Sequence, residues 1–212
     1  LTGNQTLVGS SSNVPSAAVI KTLNGEAVTE NYAITYVNGT LTVTPNTSTI
    51  TVMPANGSKT YDGTPLTKTA HDDFTVTGLP AGFTWAATAD GTVTNVVPGT
   101  GEKSVNAVTE FKILNAANED VSNQFSNITI ATGMLTVSPK SVIITVDNAS
   151  KTFAESDPSF TGTVNGLVNA TDLGTITYIR TNTDEAVGTY DDVLTASYTD
   201  NSNYTVMVDA GD

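Results

Sequence analysis

The single histidine of the chain is the first residue whose type and setting could support chemistry. His71 is followed by Asp72 and Asp73, and a carboxylate beside an imidazole can orient that ring for proton transfer. Neighbouring residues of a strand point to opposite faces, however, and no serine stands in a nucleophile-elbow sequence. We therefore expect His71 to lie in a solvated loop, and we predict no catalytic residues and no enzyme.

Two oxygen-rich stretches raise a second possibility, a calcium site. Asn118-Glu119-Asp120 and Asp200-Asn-Ser-Asn203 carry the carboxylate and amide oxygens that calcium accepts. Their spacing does not fit an EF-hand, and Asp, Asn and Ser also favour turns for purely local reasons. The sequence favours ordinary turns with no metal site and no cofactor, and calcium is the alternative.

Aromatic side chains could form a platform for a sugar ring, and Trp85 with Tyr61 is the candidate pair. A single tryptophan in a small β-domain most often anchors the core, so we expect this role for Trp85. The residues of any ligand-binding site are therefore unknown from the sequence.

Two lysines recur at matching positions, Lys59 before Thr-Tyr and Lys151 before Thr-Phe. In a surface protein such a lysine could form an intramolecular isopeptide bond with an asparagine, with an acid as catalyst. A lysine at a strand end also shields apolar surface with its long side chain, and this second role explains the recurrence equally well. Both interpretations stay open at this point.

The composition excludes several classes of partner. The formal net charge is −13, from 8 basic and 21 acidic residues, so the chain repels phosphate backbones and anionic lipid. We expect no nucleic acid partner and no membrane insertion. Cysteine is absent, so neither disulfides nor thiolate metal sites can stabilise the fold. Hydrophobic residues make up 38% and charged residues 14% of a chain rich in Thr, Val and Asn, which predicts an all-β fold.

A repeated phrase defines the organisation that must position these residues. Thr40-Leu-Thr-Val-Thr44 and Met134-Leu-Thr-Val-Ser138 alternate apolar with hydroxylated side chains, which predicts half-buried closing strands. Pro45 and Pro139 follow them and must end these strands, so we interpret them as module joints with very short linkers. The unit recurs about every 93 residues.

Three tandem modules are predicted, each with its own small core, in an elongated arrangement. Residues 1–45 are the C-terminal half of a module, 46–139 a complete module, and 140–212 a module that lacks its closing strand. Unpaired strand edges at both ends would lead the chain to associate with other copies through those ends.

Within the modules, an Asn56-Gly57 turn with left-handed geometry and a short helical turn around 168–173, capped by Asn169 or Thr171, are expected. The strands outside the closing phrase are predicted at 49–53, 74–76, 83–85, 103–114, 127–131, 160–164, 175–179, 190–198 and 204–208.

Several of these phrases together resemble the MBG family of repeats. They are Lys59-Thr-Tyr-Asp-Gly-Thr-Pro-Leu66, Gly166-Leu-Val-Asn169, Val187-Gly-Thr-Tyr190 and the closing Gly39-Thr-Leu-Thr-Val43. The resemblance covers nearly the whole chain and implies mostly β, β-grasp-like modules of large bacterial surface proteins and adhesins, including mucin-binding-type proteins. The third copy departs from the pattern with Phe153-Ala-Glu155, and no Leu-Pro-x-Thr-Gly anchor signal is present.

The function expected from this resemblance is a non-catalytic structural repeat, a stalk or spacer of a bacterial cell-surface protein. The alternative is a direct adhesive module that binds mucin-type glycans or a host protein, and a more distant one is an accessory domain of a secreted polysaccharide enzyme. The expected partners are neighbouring repeat modules in the same chain, with host glycans or proteins as further candidates. The expected location is the extracellular bacterial surface, attached to the cell wall in the full-length protein.

Overall fold

Strands dominate the computed structural model, which describes residues 1–99 and 103–212. The predicted all-β fold class is confirmed, since helix is limited to the single 3-10 turns Thr29–Asn31, His71–Asp73 and Ser122–Gln124 in the described residues. None of these helices has the length and apolar character needed to cross a membrane. The strands, in chain order, are β1 Gly9–Asn13, β2 Gly39–Val43, β3 Ile50–Pro54, β4 Gly57–Thr60, β5 Leu66–Thr67, β6 Phe74–Thr77, β7 Thr84–Ala89, β8 Thr92–Val93, β9 Lys103–Asn106, β10 Val108–Leu114, β11 Ile128–Ile130, β12 Gly133–Ser138, β13 Lys140–Val146, β14 Gly162–Asn165, β15 Thr177–Arg180, β16 Leu194–Ser197 and β17 Tyr204–Asp209.

Contacts divide the chain into two units that do not follow the predicted modules. Unit 1 consists of Leu1–Val52, Thr75–Ala87 and Glu110–Ile130, and unit 2 of Met53–Phe74, Thr88–Thr109 and Ala131–Asp212. The division passes through β3, β6, β7 and β10. Below, the first, second and third segments denote the proposed modules 1–45, 46–139 and 140–212, whose boundaries remain a prediction.

In unit 2, the third segment is built around β13, the central strand of the sheet β14-β13-β17. β13 runs antiparallel to β14 and parallel to β17, with Lys140 opposite Tyr204 and Thr145 opposite Asp209. Alternate side chains of β13 point into the core, because Val142 and Ile144 are fully buried whereas Ile143 is exposed. β15 and β16 form a separate antiparallel ribbon.

The closing strand of the second segment, β12, also lies at the centre of its sheet, β4-β12-β9. It is parallel to β4 and antiparallel to β9. The predicted inward orientation of Leu135 and Val137 is confirmed, since both are fully buried. The ribbon of β5 and β8 completes this part of unit 2.

Unit 1 contains the strands of the first segment and part of the second segment. β11 runs parallel to β3, with Ile128 opposite Ile50, in the sheet β11-β3-β6. β2 pairs antiparallel with the serine-rich β1. The expectation that Leu41 and Val43 are core residues holds only in part, because both are half-buried.

A pair of glycines shows that the same local geometry occurs twice. Gly78 and Gly166 have positive φ angles of 79° and 105°. A Cβ atom at Gly78 would lie 1.9 Å from the carbonyl oxygen of Thr49, and one at Gly166 would lie 2.5 Å from that of Ser141. Gly78 follows β6, the neighbour of β3, and Gly166 follows β14, the neighbour of β13, so the repeat extends to the backbone.

Two expectations about turns were wrong. The residues around 168–173 form turns, in which the Asp172 amide donates to the Asn169 carbonyl at 3.1 Å, and no helix develops over so short a span. Gly57 is not in the left-handed region but begins β4. Its Cβ would lie 3.2 Å from the Leu135 side chain, so the glycine permits close approach of a neighbouring strand rather than a tight turn.

Candidate functional site

The joint between the second and third segments leaves almost no free backbone. β12 ends at Ser138 and β13 begins at Lys140, so Pro139 alone separates them. The amide of Tyr61 donates to the Ser138 carbonyl at 2.9 Å, and the amide of Lys140 donates to the Asn203 carbonyl at 2.9 Å. Hydrogen bonds therefore hold the chain on both sides of the proline.

A tyrosine pair joins the two segments at this point. Tyr61 and Tyr204 are both buried and pack edge to face. The Tyr204 hydroxyl accepts a hydrogen bond from the Val168 amide at 3.0 Å and donates one to the Asp172 carboxylate. Burial, and then the bond to Asp172, raises the pKa of Tyr204 above its usual value, so the hydroxyl stays protonated as the donor.

Asn203 is a second connection across the joint. Its buried carboxamide accepts a hydrogen bond from the Val96 amide at 2.8 Å and donates one to the Asn95 side chain at 3.0 Å. Its own amide donates to the Asn201 side chain at 3.0 Å. Sequence analysis placed Asn203 among candidate calcium ligands or turn residues and missed this role, because no local pattern indicates a partner in the preceding segment.

The hydrophobic core of unit 2 is continuous across the joint. The second segment contributes Tyr61, Val93, Val96, Leu135 and Val137, and the third contributes Val142, Ile144, Leu173 and Tyr204. The expectation that each module has its own separate core is wrong at this joint, because side chains from both segments pack into one cluster.

A groove of about 430 Å³ lies on the third segment. It lies between the backbone of 148–151 and the edge formed by Val193 and Leu194, and Asp212 borders it. Phe153 and Val187 add apolar surface and are 66% and 89% exposed.

A cluster of four charged side chains borders this groove. Lys151 contacts Asp157 at 2.9 Å and Glu185 at 2.6 Å, and Arg180 contacts the same two carboxylates at 3.0 and 2.9 Å. The bond from Lys151 holds the pKa of both Asp157 and Glu185 below the usual range, and Arg180 adds to the effect. Because every charge is paired within the cluster, it fixes the loop that carries Glu185 without presenting a free cation or anion.

The lysine positions carry ion pairs. The Lys59 ammonium contacts Asp62 at 2.6 Å and the Thr64 hydroxyl at 2.8 Å. The hydrogen bonds from Lys151 to Glu185 and Asp157 raise the pKa of Lys151, which keeps its nitrogen protonated. Both recurring lysines thus hold carboxylates in ion pairs, which agrees with the structural role considered for them.

His71 lies exposed in the 3-10 turn His71–Asp73. The Asp73 carboxylate accepts bonds from the Lys68 ammonium at 3.0 Å and the Ala70 amide at 3.1 Å, so it caps the turn. This geometry is that of a capped turn.

The oxygen-rich stretches also serve as turns. The Asn115 side chain accepts bonds from the amides of Ala117 and Glu119 at 2.9 and 3.0 Å, and Asp120 accepts one from the Ser122 amide at 3.0 Å. The bonds from Ser122 lower the pKa of Asp120. In the described part of the chain, no group of three His, Cys, Asp or Glu side chains is placed to hold a metal ion.

The aromatic platform considered as an alternative for Trp85 and Tyr61 lacks one of its two rings. Tyr61 is buried against Tyr204 and cannot present its face to a sugar. Trp85 is half-buried in β7.

Comparison with known families gives one match. Residues 142–212 match the model of the MBG domain (YGX type). The predicted resemblance is thus confirmed for the third segment, which is a repeat module similar to a non-enzymatic domain typical of surface proteins. Searches of curated proteins and of solved structures gave no match.

Proposed function

We propose that this chain is a structural stalk or spacer in a bacterial cell-surface protein, in which each repeat module is fixed rigidly to the next. The match of the third segment to the MBG domain supports a surface-protein repeat. The single observation that carries the stalk role is the shared core at Pro139, in which Tyr61 and Tyr204 pack together. The proposed location is extracellular, with attachment to the cell wall in the full-length protein.

The physical argument is that a bend at Pro139 would break specific contacts. Rotation of the third segment against β12 would separate the two tyrosines and remove the Asn203 partners, Val96 and Asn95. It would also expose apolar surface of the shared core to water, which is unfavourable in proportion to the area exposed. A linker meant for reach would instead contain a flexible stretch, whereas one proline stands here.

The experiment measures whether the two sides of Pro139 tumble together. Residual dipolar couplings from amides of 131–138 and from amides of 140–212 are expected to fit one alignment tensor. A variant with Gly-Gly-Ser inserted after Pro139 is the control, and its two sets should require different tensors. Two tensors for the parent chain would overturn the stalk proposal, because the joint would then be flexible.

The adhesive alternative is tested separately with a glycan array and a panel of host proteins. A stalk segment is expected to give no binding above that of an unrelated acidic β-protein. Reproducible glycan binding that is lost in Trp85→Ala would establish the adhesive role, since aromatic faces bind sugar rings.

A further inference from the structure

The groove of the third segment begins at a position that corresponds to the start of the central strand β12 in the second segment. In the second segment, the Met134 amide donates to the Asn56 side chain at 2.7 Å. In the third, the Asp212 amide donates to the Asn148 side chain at 3.0 Å. Each amide follows a glycine packed against the end of the first strand of its segment, Gly133 beside the Pro54 carbonyl and Gly211 beside that of Val146.

From Gly133 onward, β12 of the second segment runs between two strands. Leu135 lies opposite Gly57 of β4, and Ser138 lies opposite Thr60, in a parallel register. On its other side Gly133 lies opposite Asn106 of β9 in an antiparallel register. The side chains of Leu135 and Val137 fill the core below.

The third segment shows the first bonds of the same arrangement. The Ala149 amide donates to the Asp212 carbonyl at 2.9 Å, which begins a parallel ladder. Gly211 and Leu194 exchange two backbone bonds, at 2.8 and 3.0 Å, which begins an antiparallel one. Both sets of bonds border the groove, which lies between the backbone that follows β13 and the start of β16.

The exposure of Phe153 at the groove is a second observation, independent of the hydrogen bonds, that relates the groove to the position of β12. Tyr61 and Phe153 both follow a Lys-Thr pair. Tyr61, beside the filled strand position, is 7% exposed and donates its amide to Ser138 of β12. Phe153 borders the groove and is 66% exposed.

We propose that this groove is a strand-acceptor site that binds an extended peptide segment with the Leu-Thr-Val-Ser pattern of β12. The segment runs in the direction of Gly211 and Asp212, parallel to 149–152 and antiparallel to the edge at Leu194. Main-chain hydrogen bonds to both edges hold the segment, and its Leu and Val side chains enter the apolar floor, as in other cases of strand addition. Ala149 stands where Gly57 lies, so the incoming leucine sits a few tenths of an ångström farther out than Leu135.

The test uses the full chain and synthetic tails. Leu-Thr-Val-Ser-Pro is appended after Asp212 in one variant, and Asp-Thr-Asp-Ser-Pro, of equal length, in the control. The first tail is expected to slow amide hydrogen exchange at Lys151 and Phe153 by at least about tenfold, because these amides match those that bond to β12. The control tail is expected to leave both rates unchanged.

A second measurement needs no change to the chain. The free peptide Leu-Thr-Val-Ser-Pro is expected to shift the amide resonances of 149–153 and of Val193 and Leu194 in a saturable way, and the peptide with Asp in place of Leu and Val is not. Equal effects of both peptides or both tails would overturn the proposal. A parent chain that is already dimeric and takes up no peptide would also overturn it, since a second copy would then be the occupant.

Discussion

The ring centroids of Tyr61 and Tyr204 lie 5.4 Å apart, and their planes are inclined by 85°. One ring belongs to the second segment and the other to the third, so this contact couples two parts of the chain that sequence alone treats as separate modules. Edge-to-face geometry places the positive rim of one ring against the negative face of the other, which stabilises the pair beyond its buried area.

The tyrosine contact is expected to contribute measurable coupling. In a double-mutant cycle of Tyr61→Ala and Tyr204→Ala, urea unfolding should give an interaction free energy of about 0.5–1.5 kcal/mol. Tyr204→Phe keeps the ring and should retain this coupling, although it loses the bonds to Val168 and Asp172. Strict additivity of the two alanine variants would show that the rings do not couple the segments.

Asn203→Ala should destabilise the joint more than an exposed asparagine substitution does. The change leaves the Val96 amide without its side-chain acceptor, at a cost of about 1–3 kcal/mol. Asn123→Ala, at an exposed position of a 3-10 turn in unit 1, is the control. Urea midpoints measure both effects, and equal midpoints for the two variants would contradict the role assigned to Asn203.

The side chain of Asn106 is polar and fully buried, and we expect the stability of the second segment to depend on it. Its carboxamide donates to the carbonyls of Ala55 and Lys68 at 3.2 and 3.0 Å and accepts from the Gly91 amide at 3.1 Å. Asn106→Ala is therefore expected to lower the free energy of unfolding by roughly 2–4 kcal/mol, since one buried amide and two part-buried carbonyls lose their partner. Chemical denaturation monitored by far-UV circular dichroism tests this, and a loss below that of an ordinary surface substitution would refute it.

The charged cluster at the groove predicts a dependence of stability on pH. The pKa values of Asp157 and Glu185 are lowered in the folded state, so the stabilisation that these carboxylates contribute is complete at pH values above their usual pKa. This stabilisation is lost as the pH falls through the lowered pKa values of the folded state. The raised pKa of Lys151 acts at the other end, where stability falls as the pH rises above about 10.5.

Glu185→Gln is expected to flatten the acid limb of the curve of unfolding free energy against pH, whereas Glu30→Gln, an exposed substitution in unit 1, should leave its slope unchanged. Thermal melts at pH 3, 4, 5 and 7 provide the measurement. A parent and a Glu185→Gln variant with parallel acid limbs would show that the cluster does not couple to folding.

Local patterns predicted a large part of this fold. Period-two alternation identified Leu135 and Val137 as buried, and the missing amide of Pro139 marked the end of β12. The contact across the joint could not be predicted, because Tyr61 and Tyr204 are far apart in sequence and no local pattern relates one to the other. Asn203 was assigned to a turn for the same reason, and its bond to Val96 exists only once β13 and β17 are in place.

The groove could not be predicted from the sequence either. Its walls come from 148–151, the loop at Glu185 and the edge at Leu194, which only the tertiary fold brings together. The recurrence of Lys151 was visible in the sequence, yet its partners were not, because Asp157, Arg180 and Glu185 occupy no regular spacing relative to it.

The parallel pairing of β13 with β17 has a mechanical consequence. Lys140, the first residue of β13, and Asp209, the last residue of β17, lie on neighbouring strands that run in the same direction. Tension applied between these two points would slide the strands along each other in shear, so the hydrogen bonds from Lys140 to Asp209 share the load instead of opening one at a time. β3 and β11 of the second segment have the same parallel arrangement. Resistance to shear between Lys140 and Asp209 is thus built into the strand order of the third segment.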